Sequence, residues 1–148
     1  MNKKIKYILN ELSTEQKVQI CVGADFWHLY SNDELGIPKT MVSDGPHGLR
    51  KQNEKADNLG VNESITAVCF PAACATAASF DEDLLEHMGS ALGEECRAEE
   101  VSTLLGPAVN IKRSPLCGRN FEYFSEDPYL TGKLAAAQIK GVQKWDVG

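Results

Sequence analysis

The spacing of apolar positions along this 148-residue chain changes several times, and each change marks a different element. Lys3–Leu9 reads as a short helix leading into the domain. Ser13-Thr14-Glu15-Gln16 carries a capping box, a hydroxyl followed three residues later by an amide, so a second helix starts there. Val18, Cys21 and Val22 then recur at helical spacing, and Gly23 ends the element. Ile37–Ser43 reads as a turn entering a short buried strand. From Lys51 to Ser64 the chain is polar and aperiodic, the pattern of a loop or of an insertion over a site. Val68-Cys69-Phe70 predicts another strand. Asp81 caps an amphipathic helix with Leu84, Leu85, Met88, Leu92 and Cys96 on one face, while Glu86, Glu94, Glu95 and Arg97 mostly face away. Thr103–Val109 predicts a third strand, interrupted by Gly106-Pro107. From Pro128 a helical stripe of Leu130, Leu134, Ala137 and Val142 follows.

Short strand, polar loop, helix and strand again is the alternation of an α/β fold. It predicts a parallel sheet with helices outside and a site at the strands' C-terminal ends. Residues 1–36 then serve as leading helices and 37–148 as the first βα units. A (β/α)8 barrel needs eight strands, and the pattern supplies about three. Lys144–Gly148 reads as the lead-in to a fourth, so the chain is expected to be the N-terminal portion of an incomplete barrel.

Composition narrows the partners. A formal net charge of −6 argues against nucleic acid or an anionic membrane surface, both of which demand clustered cations. No apolar run approaches the roughly 20 residues that cross a bilayer. Asn10 and Glu11 cut short the apolar stretch at the start, which therefore does not read as secretory, and a cytoplasmic location is expected. The five cysteines are scattered and form no C-x-x-C pair, which argues against a disulfide framework or a zinc site. Cys69, Cys74 and Cys96 are expected as small core hydrophobes, with Cys117 the accessible thiol. His28, His47 and His87 lack metal-ligand spacing and read as structural, so no metal or cofactor is expected.

The chemistry concentrates in two polar loops. Gly118–Pro128 holds Arg119, the carboxylates Glu122, Glu126 and Asp127, and the aromatics Phe121, Tyr123 and Phe124. Aromatic faces beside charged hydrogen-bonding groups suit a polyhydroxylated ligand, with apolar C–H patches and a rim of hydroxyls. Ser43–Arg50 forms the second cluster. Asp44 is placed either to accept bonds from two vicinal hydroxyls or to cap a turn before Gly-Pro. Arg50 serves the ligand or Asp44, or is a surface ion pair. Arg119 offers a planar donor fork to a ligand, to an internal carboxylate, or to both. Glu122 and Glu126 are four residues apart, but Ser125-Glu126-Asp127-Pro128 stands where a helix begins, and acidic residues there are commonly caps.

Val42–Arg50, Phe70-Pro71, Ser79-Phe80-Asp81, Gly106–Ile111 and Gly118–Pro128 occur in the order seen in glycoside hydrolase family 3, and the chain resembles its bacterial β-glucosidases and β-xylosidases over nearly its whole length. The resemblance implies a (β/α)8 first domain and retaining hydrolysis of β-linked glucosides or xylosides without cofactor. It makes Asp44, Arg50 and Arg119 substrate-binding residues of the subsite holding the terminal sugar. It also implies that the nucleophile and the acid/base lie beyond these residues, so no catalytic residue is assigned within the chain. The alternative is a non-catalytic sugar-binding or assembly fragment that needs a partner chain or the remainder of the barrel.

Overall fold

The computed structural model describes residues 2–52 and 64–148; residues 53–63, most of the polar aperiodic stretch, lie outside the described residues. Residues 1–42 and 43–148 form two compact units. In the first, α1 (Lys3–Glu11) starts where Asn2 Oδ1 accepts the Lys4 N–H at 2.9 Å. The predicted capping box opens α2 (Thr14–Ile20), with Gln16 N–H donating to Ser13 Oγ at 3.2 Å and Ser13 N–H to Gln16 Oε1 at 2.9 Å. The helix stops at Ile20, short of the predicted Gly23, and Val18 and Val22 are exposed. Isolated bridges Gly23–Leu29, His28–Met41 and Asn32–Ile37 then fold the chain back on itself.

The second unit carries the core. Asp81 accepts the Leu84 N–H at 3.0 Å and starts α4 (Glu82–Ala98), which follows the short α3 (Ala73–Ala77). Asp127, ahead of Pro128 in the first helical turn, caps α5 (Pro128–Gln143) through the Tyr129 N–H at 2.9 Å. Leu85, Leu92 and Cys96 from α4 are buried, as are Leu134, Ala137 and Val142 from α5. Leu84, predicted on the buried face, is 48% exposed because its position lies at the edge of the stripe. The two helices approach backbone to backbone: a Cβ on Gly89 would collide with the Gln138 carbonyl, and one on Gly141 with that of Glu86. Lys144 Nζ to Glu86 Oε1 (2.5 Å), Lys133 to Glu82 (3.0 Å) and Trp145 Nε1 to Ser90 Oγ (3.0 Å) flank the contact.

Strand β1 (Val42–Asp44) pairs with β2 (Thr103–Leu105) in a two-stranded sheet, making the described fold a mixture of helix and strand. Ser43 in β1 and Leu104 in β2 are buried. Beside β2, Gly148 N–H donates to Ser102 O at 3.0 Å and Gly148 O accepts from Leu104 N–H at 2.7 Å. Those two bonds embrace Thr103 in the pattern of a parallel pair.

Two expectations require correction. Val68–Phe70 forms no strand: Val68 N–H donates to Glu95 Oε1 at 3.1 Å and Phe70 N–H to His47 O at 2.8 Å, and neither joins a ladder among the described residues. The strand predicted over Thr103–Val109 ends at Leu105, ahead of Pro107, which has no N–H to offer a ladder. The expectation of Cys69 and Cys74 as core residues is also corrected: only Cys96 among the cysteines is buried, while Cys69 lies on the segment without a strand partner and Cys74 on the outward side of α3.

Candidate functional site

Asp44 ends β1, and the loop after it returns to the same residue. Arg50 N–H donates to Asp44 O at 2.9 Å, and Arg50 Nη1 donates to Asp44 Oδ2 at 3.3 Å. Both side chains stay open to solvent, 45% exposed for Asp44 and 69% for Arg50. Gly48 holds the loop's sharpest bend at φ +132°, and a Cβ there would collide with the Val68 carbonyl. His47 accepts the Ala73 N–H at Nε2 (3.1 Å), which requires that nitrogen to be unprotonated. Its structural role agrees with the sequence reading, and its ring stands 6.0 Å from that of Phe121.

The second loop is closed by Lys112 N–H to Ser125 O (3.2 Å) and by Asn120 Nδ2 to Ser114 O (2.7 Å). Within it, a 3-10 turn over Asn120–Glu122 brings Glu122 back against Arg119, whose Nε donates to Glu122 Oε1. Glu122 is buried while Arg119 is 70% exposed, so the carboxylate anchors a guanidinium whose remaining donors face outward. That hydrogen bond, followed by the charges of Glu122, Tyr123 and Asp44, raises the Arg119 pKa above its ordinary value. Tyr123 lies under the guanidinium, 5.9 Å from its ring centroid. Asp127 is a helix cap, and Glu126 lines a separate cleft beside Lys112 and Arg113.

Asp44, Arg50 and Arg119 line one open cleft of about 540 Å³, together with His47, Phe121 and Glu122. Ile65, Ala67, Val68 and Cys69 also line it, and of these the periodicity read Val68 and Cys69 as part of a strand and not of a site. Both carboxylates in the cleft are paired with a guanidinium, and Phe121 adds an aromatic ring. Such a lining suits neighbouring hydroxyls on a ring with an apolar face. Among the described residues no group of His, Cys, Asp and Glu could hold a metal ion.

The Glycosyl hydrolase family 3 N terminal domain matches residues 13–148. Thermostable beta-glucosidase B of Acetivibrio thermocellus is 59% identical over 144 residues, which are 97% of this chain and 19% of that protein. An exo-alpha-(1->6)-L-arabinopyranosidase of Bifidobacterium longum is 45% identical over 141 residues, 95% of this chain and 19% of that protein. Beta-glucosidase 3B from Thermotoga neapolitana, solved in complex with alpha-D-glucose, superposes with a TM-score of 0.86 at 37% identity, covering 99% of this chain and 22% of that one. The chain thus spans about a fifth of the length of the relatives it matches.

Proposed function

The chain belongs to glycoside hydrolase family 3, and we propose that it forms the first βα units of a (β/α)8 catalytic domain, where it supplies part of the subsite for the terminal sugar of a β-linked glucoside or xyloside. Asp44 accepts bonds from two adjacent hydroxyls, Arg50 fixes its orientation, Arg50 and Arg119 donate to the ring's oxygens, and Phe121 offers a face to the C–H side. The observation that carries this reading is the convergence of two loops, distant in sequence, on one cleft. Parallel hydrogen bonding at Gly148 supports the reading of residues 37–148 as the opening strands of a larger sheet.

Retaining glycoside hydrolysis uses two carboxyl groups about 5–5.5 Å apart, one ionised nucleophile and one proton donor. Asp44 and Glu122 are each committed to an arginine, which favours binding over proton transfer. In line with what the family resemblance implies, we assign the nucleophile and the acid/base to residues outside these 148, in an enzyme read as cytoplasmic and without cofactor. The relatives include both a beta-glucosidase and an arabinopyranosidase, so the cleft is assigned to a pyranose before any particular sugar.

Thermal unfolding of the chain with and without D-glucose tests the reading. Ligand at a hundred times its Kd stabilises by about 2.7 kcal/mol, and this increment is expected to vanish in Asp44→Ala. No stabilisation by glucose or xylose would refute the assignment. Turnover of a chromogenic β-glucoside by the 148 residues alone would place the catalytic carboxylates within the chain and overturn the division of labour. A non-catalytic sugar-binding fragment is the second reading, favoured by the same ion-paired carboxylates.

A further inference from the structure

The wall of the cleft formed by Ile65–Cys69 pairs with no strand among the described residues. Ile65 N–H is bonded to Lys51 O (3.0 Å) and Phe70 N–H to His47 O (2.8 Å), so both ends of the segment are tied to main chain. Between them stands Val68, whose N–H donates to Glu95 Oε1 at 3.1 Å, its one partner among the described residues. Val68 is also where the wall meets the first loop, its carbonyl lying against Gly48. Whatever fixes the Val68 peptide therefore fixes the separation between the wall and the Asp44 loop.

We propose that Glu95 is a positioning residue for the sugar cleft, its carboxylate holding the Val68 peptide, and with it the wall, in register with the Ser43–Arg50 loop. Three observations carry this. Glu95 leaves α4 between the buried core positions Leu92 and Cys96, so its backbone is rigidly placed. Its second oxygen, Oε2, is buried without a hydrogen-bond partner among the described residues, so the carboxylate is committed to the protein and not to bulk water. One turn on, the end of α4 holds the other side of the same loop base, with Lys51 Nζ donating to Glu99 O at 2.6 Å and facing Glu99 Oε2 at 3.6 Å. A charged acceptor on a backbone N–H is among the stronger hydrogen bonds a protein makes. Losing it removes the protein acceptor of the Val68 N–H, on a residue already 53% exposed, which loosens the segment before the helix.

The role in ligand binding rests on the sugar-site reading; the mechanical role does not, and the test separates them. Amide hydrogen exchange is followed in wild type, Glu95→Ala and Glu95→Gln, and D-glucose is titrated into each. Glu95→Ala is expected to speed exchange at Val68 at least tenfold while the α4 and α5 core amides keep their protection, and to weaken glucose binding at least fivefold. Glu95→Gln retains an acceptor oxygen and is expected to restore most of both. Unchanged Val68 exchange in Glu95→Ala overturns the proposal, as does loss of protection spread through α4 and α5, which marks a general stability effect. If wild type binds no glucose, the sugar-site reading fails, and the Val68 exchange rate still decides whether Glu95 holds the wall.

Discussion

Arg50 closes on Asp44 twice, with its main-chain N–H on the carbonyl at 2.9 Å and its guanidinium on the carboxylate at 3.3 Å. The backbone bond sets the loop, and the side-chain bond sets the direction of the acceptor. A residue 69% exposed contributes little to stability through such a pair, since exposed ion pairs are worth about 0–1 kcal/mol. Arg50→Ala is therefore expected to change unfolding free energy by less than about 1 kcal/mol and to reduce glucose affinity. Denaturant titration and calorimetric titration of the same variant check the two halves.

Gly48 and Gly36 both adopt positive φ, +132° and +64°, but of the two only Gly48 is crowded, by the backbone of Val68. Gly36→Ala meets nothing within 4 Å and is expected to cost about 1 kcal/mol from backbone strain. Gly48→Ala adds a collision with the Val68 carbonyl and is expected to cost about 3 kcal/mol or more, with loss of the cleft. Equal destabilisation of the two variants would show that the wall yields freely.

Burial pushes the Cys96 thiol up to about 11, with the charge of Glu95 adding to it. Cys21, Cys69, Cys74 and Cys117 are exposed. A thiol reagent at neutral pH is expected to label those four in the native protein and Cys96 only on unfolding, because the thiolate is the reactive form. Peptide mass mapping checks the pattern.

The hydrogen bond and charge of Lys144 hold Glu86 below its ordinary value of 4.5. A carboxylate whose pKa is lower folded than unfolded favours the native state once ionised. Its contribution is complete above pH 4.5 and is lost as pH falls through the lower, folded value. Unfolding midpoints across this acidic window are expected to fall less steeply in Glu86→Gln than in wild type.

Legibility followed locality. The starts of α2, α4 and α5 were readable because Ser13, Asp81 and Asp127 act on N–H groups two or three residues away. The α4–α5 core was readable because apolar residues recur at 3.6-residue spacing, with Leu84 misplaced only at the stripe's edge. Asp44, Arg50 and Arg119 were singled out because charged groups clustered after apolar runs. Val68–Phe70 was misread because a short apolar run looks the same whether its N–H groups meet a strand or a carboxylate. Glu95 was counted only as one polar residue on an outward face, and its partner lies 27 positions away. No local pattern encodes that pairing.

The central claim is that Asp44 and Arg119, from separate loops, face one sugar. Backbone amide shifts of the isotope-labelled chain titrated with D-glucose measure this directly. The account predicts saturable shifts at Asp44–Arg50 and Arg119–Glu122 together, with a single Kd, abolished in Asp44→Ala. Shifts confined to one loop, or centred on the Lys112–Pro115 cleft, would contradict it.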